Sequence, residues 1–164
     1  MTRIATWWVW LTLSVGVVIA DQCTKLLVIN QLEMGQRIAL LPGLTLTYVV
    51  NHGAAFSFLN SMGGWQRWLF SGLAVFISVL LIQWLRHLPP TERLIAFAIA
   101  LILGGAVGNL IDRMVYGYVI DFILVYYRSW SWPVFNLADS AITVGATILG
   151  GVLIFCKQKR GWFF

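Results

Sequence analysis

Two aspartates, Asp121 and Asp139, stand in nearly charge-free runs, Val119-Ile-Asp-Phe-Ile-Leu-Val125 and Val134-Phe-Asn-Leu-Ala-Asp-Ser-Ala-Ile142. A carboxylate at bilayer depth costs about 2.5–3.5 kcal/mol on insertion scales, so such residues mark proton paths or active sites. The chain has six acidic residues; Asp21, Asp112, Asp121 and Asp139 lie at or inside apolar segments. Two carboxylates brought together in a partly desolvated site share one proton. The ionised member takes a proton from water as that water attacks a carbonyl. The protonated member donates to the carbonyl oxygen or the leaving nitrogen. This is aspartic-protease chemistry, and it needs no metal, thiol or histidine. Two other readings compete with it: structural ion pairs from the aspartates to Arg113 or Arg128, and a proton or ion path.

Further polar residues gather near the dyad. Asn109, Asp112 and Arg113 are spaced to share one helical face, and Asn136, three residues before Asp139, likewise shares its face. Asparagine amides both donate and accept, so they can orient a carboxylate or a peptide backbone. Asp21 and Lys25 are spaced i,i+4, and Asp112 adjoins Arg113; both read as neutralising, bracing pairs.

Rival chemistries are poorly supplied. Cys23 and Cys156 fall at opposite ends of the expected bundle, too far apart for a disulfide. Two His and two Cys on opposite sides do not make a zinc site. His87 lies in a turn and His52 near the site, with little to recommend either as a catalyst. No G-x-S-x-G elbow is present. A Ser–Lys pair of Lys25 with Ser57 or Ser140 is the weaker nucleophilic alternative.

The elements that must position these groups are membrane helices. The 164 residues are 60% hydrophobic and 10% charged, with a mean hydropathy of +0.83. That places the chain outside the soluble globular class. Four apolar runs, at about 7–29, 68–85, 94–111 and 134–155, are each long enough to cross a bilayer. The first reads as an uncleaved span, because three Trp open it and apolar character resumes after Lys25. An even number of spans puts both termini on one side. The placement of Lys and Arg makes that side the cytoplasm. The net charge of +5 comes with no basic stripe, so nucleic acid is not a partner.

Between the spans, Leu44-Thr-Leu-Thr-Tyr-Val-Val50 alternates with a period of two and reads as a strand. Pro42-Gly43 signals a turn back to Arg37–Leu41, giving a small antiparallel sheet within about 36–58. The aromatic connection after Asp112 belongs at the membrane–water boundary, and its 119–125 stretch, too short to span, reads as interfacial. Gly104, Gly105 and Gly108, and Ala141 with Gly145, are small residues that allow close helix approach. The fold expected is an all-α polytopic membrane protein in one domain over 1–164, carrying a small extracytoplasmic sheet.

Five motifs, in this order, are Asp21-x-x-x-Lys25, Asn51-x-Gly-Ala-Ala-Phe-Ser57, Gly108-Asn-Leu-Ile-Asp-Arg113, Val119-x-Asp121-Phe and Phe135-Asn-x-Ala-Asp139. Together, framed by four spans, they resemble the motif series of bacterial lipoprotein signal peptidase (signal peptidase II). The resemblance implies an aspartyl endopeptidase of the bacterial inner membrane. Such an enzyme cuts the signal peptide from a prolipoprotein just before its diacylglyceryl-modified cysteine. It implies Asp121 and Asp139 as catalytic dyad, Asn51, Gly53, Asn109, Arg113 and Asn136 as substrate-positioning residues, and Asp21, Lys25 and Asp112 as braces. No metal or other cofactor is expected, and no obligate protein partner. A monomer in contact with membrane lipid, its site towards the extracytoplasmic face, is the simplest assembly. A proton-relay subunit and a structural scaffold remain the competing classes, and neither accounts for polar motifs gathered on one membrane side.

Overall fold

The structure, a computed structural model, describes residues 7–53 and 64–160. Of the readings above, Ala54 to Ser57 of the second motif, and with them the end of the expected sheet region, lie outside the described residues. So does the Ser57 alternative. Four helices are long and apolar enough to cross a membrane: α1 (Trp7–Gln31), α2 (Gln66–His87), α3 (Arg93–Val115) and α4 (Leu137–Arg160). Each apolar run is longer as a helix than as a hydrophobic stretch, because polar end residues join the last turns. The fourth is the exception at its start. Residues 134–136 are not helical, and α4 begins only after Asn136, whose amide caps it.

The helix α3 is central and packs against α1, α2 and α4. Its composition explains why. Cβ atoms added at Gly104 and Gly108 would stand 2.7 Å from Val17 Cβ and 2.6 Å from Asp21 Oδ2 on α1. One added at Gly105 would run into the Ala138 carbonyl of α4. Without hydrophobic drive between helices in lipid, such close backbone approach supplies the packing. Leu81 and Leu85 of α2 and Ile99 and Leu103 of α3 make a buried cluster at the other end, joined by Trp10 and Leu11. Outward residues of α2, among them Trp68, Leu73 and Phe76, are exposed apolar groups suited to lipid.

A four-stranded antiparallel sheet, ordered β1 (Arg37–Leu41), β2 (Leu44–Asn51), β3 (Val119–Tyr127) and β4 (Trp130–Ser131), sits at one end of the bundle. The expected Pro42-Gly43 turn joins β1 to β2, with Gly43 at φ 89°. The segment at 119–125, read as an interfacial stretch apart from the sheet, is instead its third strand, pairing along β2. Ile120 and Phe122 bury themselves against Val28 of α1 and Leu32 just past its end, which fastens the sheet to the bundle. Leu46 faces Ile123 and Val49 faces Asp121, so β2 carries one extra residue between them. Bulges of this kind occur beside active sites, where they re-aim side chains.

Candidate active site

Asp121 projects from β3, and its neighbour across the sheet is found diagonally. Asn51, paired with Val119, donates from Nδ2 to Asp121 Oδ2 at 3.0 Å. The Asn51 Oδ1 is itself fixed by the backbone N–H of Gly53 at 3.0 Å. A loop turned back by this Asx contact therefore aims the amide at the carboxylate.

Asp139 comes from the first turn of α4. Chain 132–136 returns alongside β3: Ile123 N donates to Phe135 O at 2.8 Å and Phe135 N to Ile123 O at 3.1 Å. That pairing delivers Asn136 beside Asp121. Asn136 Oδ1 accepts from Asp139 N at 2.9 Å while Asp139 Oδ2 accepts from Asn136 N at 3.3 Å. This is the reciprocal capping box of a helix start. Asn136 was read as sharing a helical face with Asp139; it is the cap just outside the helix. Its Nδ2 faces Asp121 Oδ1 at 2.7 Å, with Asn109 Oδ1 at 3.1 Å and Ile120 O at 3.2 Å as further acceptors. One buried asparagine thus touches both aspartates.

Behind the dyad lies a buried ion cluster. Lys25 Nζ is 2.8 Å from Asp21 Oδ2 and 2.7 Å from Asp112 Oδ2, and donates to Asn109 Oδ1 at 3.0 Å. With its oxygen held by Lys25, the Asn109 amide presents Nδ2 to Asp139 Oδ1 at 2.7 Å. Asp21 Oδ1 accepts from Ala138 N at 2.9 Å, adding a second cap to α4. Asp112 Oδ2 accepts from Ile120 N at 3.1 Å, tying α3 to β3. Each acid of this cluster therefore grips the backbone next to one catalytic candidate.

The pairing of Asp112 with Arg113 does not form; Asp112 turns inward to Lys25. Successive residues on a helix point about 100° apart, and only one of the two can face α1. Arg113 instead donates to Asn109 O at 3.3 Å, lies over the Phe70 ring and lines the cavity. Among the described residues no ion pair joins Asp121 or Asp139 to Arg113 or Arg128; Lys25 pairs instead with Asp21 and Asp112. The Ser–Lys alternative is not assembled either, since the Ser140 hydroxyl donates to Asn136 O at 3.0 Å. His52 packs edge-on to Tyr118, and His87, which is exposed, contacts Gln83 O. Cys23 is a free, exposed thiol; the side chain of Cys156 lies outside the described residues.

The two aspartates share a cavity of about 520 Å³ with Asn51, Gly53, Asn109 and Arg113. Phe135, Ile142, Val144, Trp132 and Pro133 also line it, together with Ser140 and Thr143, so the aspartates open onto a largely apolar slot. Burial pushes the Asp121 carboxyl up to about 7, and the Asp139 charge adds to that. The Asn51 and Asn136 amides and the more distant Lys25 pull the other way. A carboxyl poised there suits general acid–base work near neutral pH.

Sequence reasoning missed Gln22, whose Nε2 faces Asp112 Oδ1 at 2.8 Å, Gly108 O at 3.1 Å and Asp21 Oδ2 at 3.2 Å. A polar amide in the middle of an apolar span was its only signal. The apolar lining residues Val134, Phe135, Ile142 and Val144 carried no signal distinguishing them from lipid-facing residues.

The chain is similar to known proteins over most of its length. The family model described as Signal peptidase (SPase) II matches residues 13–155. A lipoprotein signal peptidase of Pseudoalteromonas translucida is 50% identical over 141 residues, covering 86% of this chain and 85% of its own. One of Pseudomonas aeruginosa is 51% identical over 156 residues, covering 94% and 90%. A bacterial membrane enzyme solved by the in meso method at 2.3 Å resolution superposes with a TM-score of 0.81. It is 28% identical and is covered over 92% of its length, against 94% of this chain.

Proposed function

We propose roles for the site residues from one premise: the chain belongs to the signal peptidase II family and is a membrane aspartic peptidase that cleaves signal peptides from prolipoproteins. Asp121 and Asp139 are its catalytic dyad. The observation that carries this reading is the single cavity they share, with the buried Asn136 bonded to both carboxyls. Asp139, facing donors from Asn109 and Asn136, takes a proton from the attacking water. Asp121 holds the shared proton and gives it to the scissile carbonyl oxygen, so the tetrahedral intermediate forms without a free oxyanion. Collapse breaks the C–N bond as Asp139 returns its proton to the leaving nitrogen, and Asp121 takes back the proton of a gem-diol hydroxyl as the product carboxyl forms.

Asn51, Gly53 and Arg113 border the cavity beside the dyad and position the substrate backbone; Asp21, Lys25 and Asp112 brace from behind. The apolar part of the slot, Phe135 to Val144, suits a signal helix and the acyl chains on the diacylglyceryl-modified cysteine, reached sideways from lipid. The chain works as one membrane-embedded domain and as a monomer, without an obligate protein partner. Arg86, Arg93, Lys157 and Lys159 flank the bundle end away from the sheet. That supports cytoplasmic termini and a site at the extracytoplasmic face of the inner membrane.

The test is cleavage of purified diacylglyceryl-modified prolipoprotein in detergent, without added metal, by wild type, Asp121→Asn and Asp139→Asn. Both variants should bind substrate and leave it intact, and the unmodified precursor should stay uncut by wild type. Normal cleavage by either variant removes that residue from the dyad.

A further inference from the structure

A second cavity, of about 410 Å³, lies along the sheet and shares no lining residue with the first. All four strands contribute to it: Arg37 and Ala39 of β1, Thr45 of β2, Tyr126 of β3, and Ser131 of β4, with Arg128 and Ser129 in the β3–β4 turn. Two guanidiniums and several hydroxyls thus converge, and no carboxylate lines the space.

The charge imbalance follows from the few acids the chain owns. Six carboxylate side chains serve the whole protein. Asp21 and Asp112 are taken by Lys25. Asp121 and Asp139 face the other cavity. Glu92 stands at the opposite end of the bundle, before α3, and Glu33 does not line this space. Any counter-charge for Arg37 and Arg128 therefore comes from outside the described residues.

The β3–β4 turn adds a second, independent observation. Arg128 occupies its first central position with φ 54°, in the left-handed region, while the next residue does not. Hairpin turns of that kind favour glycine there, because an L-residue is strained. Arginine at this position sets a cation at the cavity mouth at the expense of local backbone comfort.

The surroundings indicate what the cation meets. Tyr127, Trp130 and Trp132 around the turn are exposed, as are Ile38, Leu40 and Leu41 along β1. Exposed Trp and Tyr beside apolar residues mark the headgroup level of a bilayer. Arginine's planar fork matches phosphate oxygens in pairs, and hydroxyls can serve a phosphodiester's glycerol.

We propose that this cavity binds the phosphate headgroup of an anionic phospholipid, holding the sheet to the membrane surface beside the active site. Purified full-length protein in detergent is titrated with phosphatidylglycerol or phosphatidylcholine, and bound lipid is counted by native mass spectrometry. The variants are Arg37→Gln, Arg128→Gly and the pair together. Wild type should bind phosphatidylglycerol at least tenfold more tightly than phosphatidylcholine. Each single change should weaken it about fivefold and the double change about twenty-fivefold, as expected for basic residues at an anionic surface. Phosphatidylcholine binding should not change.

Arg128→Gly relieves the strained turn, so its melting temperature should equal or exceed that of wild type. Loss of lipid then cannot come from unfolding. Undiminished preference for phosphatidylglycerol in the double variant overturns the proposal. So does equal competition by inorganic phosphate, which would make the cavity an ion site rather than a lipid site. Neither outcome depends on cleavage, so a failure here leaves the dyad assignment standing.

Discussion

Replacing Lys25 by Met tests the buried cluster most directly. The lysine side chain is 1% exposed and its two carboxylate partners 0%, at 2.8 and 2.7 Å. Met fills a similar volume but leaves both acids without a counter-ion. Breaking one buried pair by removing a partner costs about 3–5 kcal/mol. Because both acids share the one ammonium, the same range serves for the cluster. It is a large part of the roughly 5–15 kcal/mol that holds a domain folded. At about 2–4 °C per kcal/mol for a chain of this size, the melting temperature should fall by roughly 6–20 °C. Intrinsic tryptophan fluorescence in detergent reads this, with nine Trp available as reporters. The triple variant Asp21→Asn, Lys25→Met, Asp112→Asn carries no buried charge at the cluster and should recover at least half of the loss. A second consequence separates positioning from folding. Without Lys25, Asn109 Oδ1 keeps only the Asn136 amide and loses the charged donor that helps aim its Nδ2 at Asp139. Cleavage in Lys25→Met should therefore be slow in kcat even well below its melting temperature, with KM little changed. A melting temperature within about 1 °C of wild type would refute the account of the cluster.

Stability and cleavage should both respond to pH through Asp121. Its carboxyl, raised to about 7 in the folded state, still holds a proton where an unfolded aspartate, near 3.9, has released it. Folded protein thus binds more protons between roughly pH 4 and 7, and stability declines as pH rises through that window. Asp121→Asn should flatten the fall in melting temperature between pH 5 and pH 8, and wild-type cleavage should decline above about pH 7 as the pair loses its shared proton. An unaltered pH slope in the variant would contradict this. A pair of glycines tests the helix packing. Gly105→Ala drives a Cβ into the Ala138 carbonyl and to 2.8 Å from Ile142 Cγ1, an overpacking worth about 1–3 kcal/mol. Gly150→Ala meets nothing within 4 Å and should gain up to about 1 kcal/mol of helix propensity. Equal melting temperatures for the two would mean that α3 and α4 do not pack as described.

Much of this site was legible in the chain because membrane segments make polar residues conspicuous. Every acid in an apolar run lies in the candidate cavity or directly behind it, and the alternation of residues 44–50 announced β2. What escaped had physical reasons. Ile120 and Phe122 pack against α1 while Asp121 faces the cavity, but apolar Val119, Ile123 and Val125 blur the alternation of β3 into a continuous run. Its strand character lies in pairing with residues some seventy positions earlier. The partner of Asp112 was misread because Arg113 is adjacent in sequence, whereas Lys25 reaches it only after α1 and α3 pack through Gly104 and Gly108. Asn136-x-x-Asp139 has the spacing of a capping box as well as of a helical face, and the start of α4 decides between them.

The bond from Asp21 to the Ala138 amide joins the first span to the last. Asp139 and the Asn136 cap also lie at the entry to that last span. During synthesis, α1, the sheet strands and α3 leave the ribosome before α4, so Asp121 waits in an unfinished site. The cavity that holds both aspartates is consequently complete only when the fourth helix inserts. On the dyad proposed above, a nascent chain with three helices in the bilayer still lacks its second carboxylate, so the order of biogenesis itself delays assembly of the site.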